Sequence, residues 1–367
     1  MLDIVCCGDL VLDEPQPDHW LGGLAATLRA AAVAIGHVEV PHTVHQEALS
    51  ADVPAPGANP AHLAALARAG IDAVTLAGNH IADCGAVGIS DTVAGLEQLH
   101  IAHCGAGQTL TAARAPAWIQ RGALRLALLS YNCVGPEQAW ATATSAGCAY
   151  VRITPEGGGP VIPSAALSRI DPESLALMQE DIRAARRAGA RICIVALHKG
   201  IVHTPALLAP YERAVAHAAV DAGADVVLGH HAHILRGIET YRGRPIFHGL
   251  GNGCVVTRAL SVDEADPKRA AWARRRQALF GFTPDPAYYL APFHPQAIHG
   301  MLARVVLRQG LIEAAGFIPL HFEPPGRPVI AGGAAAETVC RYVSHITEAA
   351  GLAPLRLSAD PDMVRIL

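Results

Sequence analysis

Three histidines fall within four positions, at 230, 231 and 233, in the stretch GADVVLGHHAHILRG (223–237). A short apolar run leads into them through Gly229. The pair His231-x-His233 therefore stands at the end of a buried strand, where imidazoles can share one cation if further donors arrive from elsewhere. Other strand-like runs stop in the same way. LDIVCC runs into Gly8-Asp9, and AVAIGHVEV carries His37 and Glu39. DAVTLA runs into AGNHIADCG with Asn79, His80 and Asp83, and RICIVAL into His198. Carboxylate, amide and imidazole together make a donor set for borderline to hard divalent cations. In open α/β sheets, ligands gather outside the carboxyl ends of the strands. That predicts one polar basin built from residues far apart in the chain.

The elements that must position them follow from hydrophobic periodicity. Strands are expected over 2–7, 32–40, 72–77, 124–131, 191–197, 224–229 and 244–249. These runs are short, β-branched and apolar throughout, as suits strands covered on both faces. Helices are expected over 20–32, 59–69, 90–99, 172–188 and 205–222, the last with Pro205 in its first turn and Gly223 after its end. The alternation indicates an α/β layered fold. Two stretches read as loops: 48–60, rich in Pro and Gly, and 153–174, a long insertion suited to a lid or rim. Beyond about 260 the pattern is less regular, with strands near 302–307 and 311–318 and a helix near 334–349. A single domain over 1–367 is expected, with its core over about 1–260 and an extension over about 261–367 packed on that core.

The 367 residues include 28 Lys+Arg and 32 Asp+Glu, a net charge of −4, which gives no support for nucleic-acid binding. The densest basic run, ARRRQ (273–277), reads as a solvated helix face. No apolar stretch reaches the ~18 residues a membrane span needs. The opening MLDIVCCGDLVLDE reads as a first strand rather than a signal peptide, so a cytoplasmic protein with no membrane partner is expected. Nine cysteines, an odd count without a C-x-x-C pair, read as free packing thiols. The 19 histidines are the unusual feature.

The ordered segments GDLVL (8–12), HVEVP (37–41), GNHIADCG (78–85), ALHKG (196–200), GHHAHILRGIE (229–239) and YRGRPIFHGLGN (241–252) carry a resemblance. Together, over about residues 2–310, they resemble the calcineurin-like metallophosphoesterases and more closely the CapA (poly-γ-glutamate capsule synthesis) family. PFHPQ (292–296) is similar to one branch of it. The resemblance implies a four-layer αββα sandwich and a divalent metal cofactor: manganese, zinc or iron. A carboxylate-and-water shell would also suit calcium. It implies Asp9, Glu39 and His233 at one metal position and Glu39 (bridging), Asn79, His198 and His231 at the other, with His80 as the acid facing the substrate. The sequence departs from the pattern twice. Asp9-Leu10-Val11 lacks the histidine of Asp-x-His, and His37-Val38-Glu39 stands where Asn-Leu-Glu is usual. His37 either replaces the missing imidazole or one metal position is weakened.

Three functions are consistent with these residues. The first is a hydrolase using metal-activated water on a peptide-like, carboxylate or phosphoryl substrate, with His80 oriented by Asp83 as general acid. The second is an isomerase. Some CapA-like enzymes of this fold are peptide epimerases that invert the C-terminal residue of lasso-peptide precursors, and His80, Asp83, Asp9 and His294 would be the acid/base candidates. The third is a non-enzymatic accessory role in polymer or capsule synthesis. A small-molecule or peptide substrate is the expected partner. His37, Lys199 and His203 are candidates for its contacts, Lys199 pairing a substrate carboxylate or standing solvated. His294 either walls a pocket or places an imidazole over the metal. His230 is expected to point away as a structural residue, and His217 to lie on a helix face.

Overall fold

The computed structural model describes residues 2–46, 57–262 and 265–367. Most of the loop expected over 48–60 lies outside them. All seven strands expected before residue 250 form, at Leu2–Leu12, Val33–Val38, Ala73–Thr75, Leu124–Asn132, Ile192–His198, Val226–His230 and Arg244–Phe247.

Among the described residues they fall into a ten-stranded and a six-stranded sheet. Leu2–Leu12 is central in the first, parallel to Val33–Val38 and to Asn252–Val256. In the second, Ile192–His198 lies between Leu124–Asn132 and Val226–His230, parallel to both.

The period-2 alternation of a strand decides the layering. Ile4, Cys6 and Ile35 of the first sheet share one core with Leu126, Leu128, Ile194 and Leu228 of the second. The alternate residues face helices. Val5 and Ala34 pack with Leu21, Leu24 and Leu28, while Ala127, Cys193 and Val195 pack with Met178, Ile182 and Val215. Two sheets face to face with helices outside is the αββα sandwich. It accounts for strands apolar on both faces, since each is covered twice.

Helices form at Pro17–Ala30, Leu63–Ala69, Gly85–Gln98, Pro172–Arg187 and Pro210–Ala222. The last starts five residues later than Pro205 suggests. Pro210 occupies its first turn, and the Glu212 side chain accepts the Ala209 N–H at 2.7 Å, which fixes the start there. Gly223 closes it at φ 119°.

The region beyond 260 joins the first sheet directly. The hairpin His299–Arg308/Leu311–Glu323 pairs antiparallel with Leu2–Leu12 through its first strand. Helix Gly333–Ala349 buries Val339, Val343 and Ile346 in the inter-sheet core. The long insertion pairs Ile153–Pro155 with Leu167–Ile170. Among the described residues, no helix is long and apolar enough to cross a membrane.

Candidate metal centre

The two central strands end against each other. Asp9, near the end of Leu2–Leu12, is fully buried. Its Oδ1 lies 2.9 Å from His230 Nδ1, and its Oδ2 accepts the His231 N–H at 3.3 Å and lies 3.4 Å from His233 Nδ1. Beyond His230 the backbone turns sharply, with φ 86° at His231 and 53° at His233. Left-handed backbone is uncommon for residues other than Gly, though His, Asn and Asp adopt it more often than most, and such backbone clusters at functional sites. The turn brings the His233 ring to Asp9 and Glu39 and the His231 ring beside His198, with centroids 4.9 Å apart. Glu39 Oε1 is 3.4 Å from His233 Nε2 and 3.9 Å from His198 Nε2. Asn79 Oδ1 is 2.7 Å from His198 Nε2. Gly78, just before Asn79, leaves the room for this. A Cβ there would stand 3.3 Å from His198 Cε1 and 3.4 Å from His37 Nε2.

Two groups of donors each gather within 4.8 Å: Asp9, His37 and His198, and Asp9, Glu39 and His233. His37 is therefore at the site itself. Its Nδ1 lies 2.9 Å from Thr75 Oγ1, which orients the ring and leaves Nε2 free towards the basin. Asp9 belongs to both groups. The bridging role expected of Glu39 is thus available to Asp9 as well, although Glu39 still reaches both His233 and His198.

These donors fit a cation. Buried polar atoms are ordinarily hydrogen-bonded. Here Glu39 Oε2, His37 Nε2, His198 Nδ1 and both His231 ring nitrogens are buried without a hydrogen-bond partner, and Glu39 Oε1 meets only imidazole nitrogens, at 3.4 and 3.9 Å. Burial, reinforced by Glu39, pushes the Asp9 carboxyl up to about 7 against the pull of His233 and His37. Burial works the same way on Glu39, but the neighbouring His233 outweighs it and holds that carboxyl at about 2. His233, despite burial, is held up at about 9 by Glu39 and Asp9. Two enclosed carboxylates thus call for positive charge. Burial pulls His37 down to about 4 and His231 to about 3, keeping them in the neutral form that binds metal.

Beside the donors opens a cleft of about 130 Å³. His80, His203, His231 and His233 line one part of it, Trp272, Phe280 and Phe293 another, and Pro163 and Ser164 of the long insertion reach its edge. His80 Nδ1 lies 2.7 Å from Asp83 Oδ2. Burial disfavours its charged form, but the hydrogen bond and charge of Asp83 raise its pKa above the ordinary value.

The family model for the bacterial capsule synthesis protein PGA_cap matches residues 3–255. The chain belongs to this family. Capsule biosynthesis protein CapA of Bacillus anthracis is 28% identical over 188 residues, covering 51% of this chain and 41% of that protein. A "probable polyglutamine synthesis accessory protein" of Mycobacterium tuberculosis is 34% identical over 248 residues, covering 66% and 57%. The chain spans about half the length of these capsule-synthesis relatives. Among solved structures, the calcineurin-like phosphoesterase YfkN of Bacillus subtilis aligns over 95% of this chain and 96% of its own, with TM-score 0.36 and 11% identity. The Haemophilus influenzae NAD nucleotidase aligns over 93% and 62%, with TM-score 0.42 and 12% identity.

Several sequence expectations for this PGA_cap chain need correction. His230 does not point away. It bonds Asp9 and stacks on His37 with ring centroids 4.5 Å apart, because it alternates in phase with Val226 and Leu228, whose side chains lie in the inter-sheet core. Lys199 is neither solvated nor turned to a substrate. It is fully buried, and its Nζ donates to Glu212 Oε2 at 2.8 Å. His294 is absent from the main cleft's lining. It borders a smaller recess, where its Nδ1 accepts the Gln296 N–H at 3.1 Å. Arg276, read with its neighbours as a solvated face, is buried at 6% exposure.

His203 lines the cleft as expected, at φ 56° and with Nδ1 unpartnered. His217 is no donor to the basin, and lies 3.1 Å from Glu239. Sequence reasoning passed over Asn252, whose Oδ1 is 2.9 Å from His233 Nδ1, and Thr75. Asn252 ends the GLGN of a quoted motif, which was the available signal. Thr75 carried none.

Proposed function

We propose that this chain is a metal-dependent hydrolase acting on a peptide-like, carboxylate or phosphoryl substrate. One observation carries the reading. Unpartnered buried donors from Glu39, His37, His198 and His231 meet beside a cleft whose wall also carries His80, held by Asp83. Asp9, Glu39, Asn79, His37, His198, His231 and His233 would hold the cation or cations. A bound divalent ion supplies Lewis acidity and water of lowered pKa.

The chain's own groups do the rest. Asp83 fixes the His80 ring through Nδ1 and favours its protonated form, so Nε2–H is available to the leaving atom as the scissile bond breaks. Thr75 and Asn252 hold the His37 and His233 rings in place. Trp272, Phe280 and Phe293 give the rest of the cleft an apolar wall.

A specific observation favours an isomerase as the second reading. His203, with an unpartnered ring nitrogen, shares the cleft with His80. Removing and returning an α-proton on opposite faces needs two such groups.

The test loads purified protein with Mn²⁺ or Zn²⁺, measures bound metal, and incubates it in D₂O with N-acetyl-Ala-Phe, a γ-glutamyl anilide and bis(p-nitrophenyl) phosphate. Cleavage of any of them supports the hydrolase. A gain of one mass unit without cleavage replaces it with the isomerase. Bound metal with neither outcome overturns both in favour of an accessory role.

A further inference from the structure

One charged group on the cleft wall is used by neither the metal donors nor the His80–Asp83 pair. Arg276, on helix Pro267–Phe280, is 6% exposed, and its Nη2 is buried without a hydrogen-bond partner. No carboxylate pairs with it among the described residues, and burial alone moves its pKa, down to about 10, which leaves it charged near neutrality. The guanidinium lies 5.4 Å from the Trp272 ring centroid, 5.7 Å from Phe282 and 5.6 Å from Phe293. Ring faces attract a cation and offset part of its desolvation. They cannot satisfy the N–H donors of the fork, and a buried charge without a partner is costly. An arginine serving only to cover apolar surface keeps its head in water; here Nη2 is enclosed.

We propose that Arg276 anchors a single carboxylate of the substrate, carried next to an apolar or aromatic side chain that the Trp272, Phe280 and Phe293 wall receives. The planar fork matches the two oxygens of a carboxylate. A phosphate dianion would leave one of its charges without an enclosed partner. Arg275, the other guanidinium among the described residues of the cleft wall, is exposed, where water screens it.

Phe293 sets the distance to the reaction. Its ring stacks on His233 with centroids 4.9 Å apart and also lies beside the Arg276 guanidinium, so anchor and metal donors are one ring apart. A carboxylate held there belongs to the reacting residue or its neighbour, as in an N-acyl amino acid or a peptide with a free C-terminus. This deepens the function proposed above by naming its substrate class, and rests on it only for where the reaction occurs.

The test titrates N-acetylphenylalanine, its amide and phenyl phosphate by calorimetry into wild type, Arg276→Gln and Arg276→Lys. Wild type is measured both metal-loaded and metal-stripped, and the thermal midpoint of each variant is recorded. The free acid is expected to bind about ten- to a hundredfold tighter than the amide. Arg276→Gln should erase that preference, and Arg276→Lys should restore part of it. The preference should survive metal removal, so a failed metal reading would leave it standing. Equal binding of acid and amide, no measurable binding of the acid, or tighter Arg276-dependent binding of phenyl phosphate overturns the carboxylate assignment. A purely structural arginine would instead lower the midpoint in Arg276→Gln and leave the acid-to-amide ratio unchanged.

Discussion

His230 Nδ1 and Asp9 Oδ1, 221 positions apart in the chain, lie 2.9 Å from each other and join the central strands of the two facing sheets. The same imidazole stacks on His37. His230 therefore holds two candidate ligands at once without being among the donor groups. Such supporting contacts orient ligands and tune affinity. His230→Ala is expected to weaken metal binding by about 10- to 100-fold, as read by competition with a chelator of known affinity. Unchanged affinity would make the contact a sheet-to-sheet tie only.

His80→Ala should leave metal content intact and lower turnover of whichever probe the wild type cleaves, by roughly 10²- to 10⁴-fold. Asp83→Asn should lower it less, because the ring stays but loses its charged partner at 2.7 Å. Elemental analysis alongside the rate separates this from ligand loss. If His80→Ala emptied the site, His80 would be a ligand rather than an acid.

Glu212 stabilises the turn after His198. It is fully buried, accepting from Lys199 Nζ at 2.8 Å and from Arg236 Nη2 at 3.1 Å. Arg236 in turn donates to the Ile201 and Leu207 carbonyls. Removing the carboxylate leaves two enclosed cations, and breaking a buried ionic group costs about 3–5 kcal/mol. Urea unfolding of Glu212→Gln should show a loss of that size. A loss under about 1 kcal/mol would mean that water reaches the group.

The same carboxylate gives a pH dependence. Burial opposes its ionisation, but Lys199 and Arg236 hold its pKa at about 2, against about 4.3 in an unfolded chain. The folded state thus binds fewer protons, so the contribution is complete above about pH 5 and is lost as pH falls towards 2. The stability gap between wild type and Glu212→Gln should be constant from pH 8 to about 5 and should narrow below it. A gap that persists unchanged to about pH 3 would contradict the assignment.

Eight of the nine cysteines are buried, and only Cys340 is partly exposed. Burial pushes the Cys7, Cys104, Cys133 and Cys148 thiols up to about 12. A disulfide-exchange reagent at about pH 8 should therefore titrate no more than one thiol in the folded protein. Rapid labelling of several would show that the core opens.

Sequence alone was enough for the strands, the α/β layering and the positions where polar residues interrupt apolar runs. Each depends on local periodicity, and a strand covered on both faces must be apolar throughout. Asp9, Glu39, Asn79, His198, His231 and His233 were visible as strand-end interruptions, and the ordered motifs carried the family. Tertiary structure decided where those side chains point and what they meet. Strand alternation puts His230 on the face of Val226 and Leu228, and only the docking of the two sheets makes that the face that meets Asp9. Lys199 found Glu212 across a loop, and Arg276 was drawn under Phe293 from a run that looks like an ordinary charged helix face. The meeting of His230 with Asp9 spans 221 positions, and even those of Lys199 with Glu212 and Arg276 with Phe293, close in the chain, depend on how their elements pack. No local pattern encodes them.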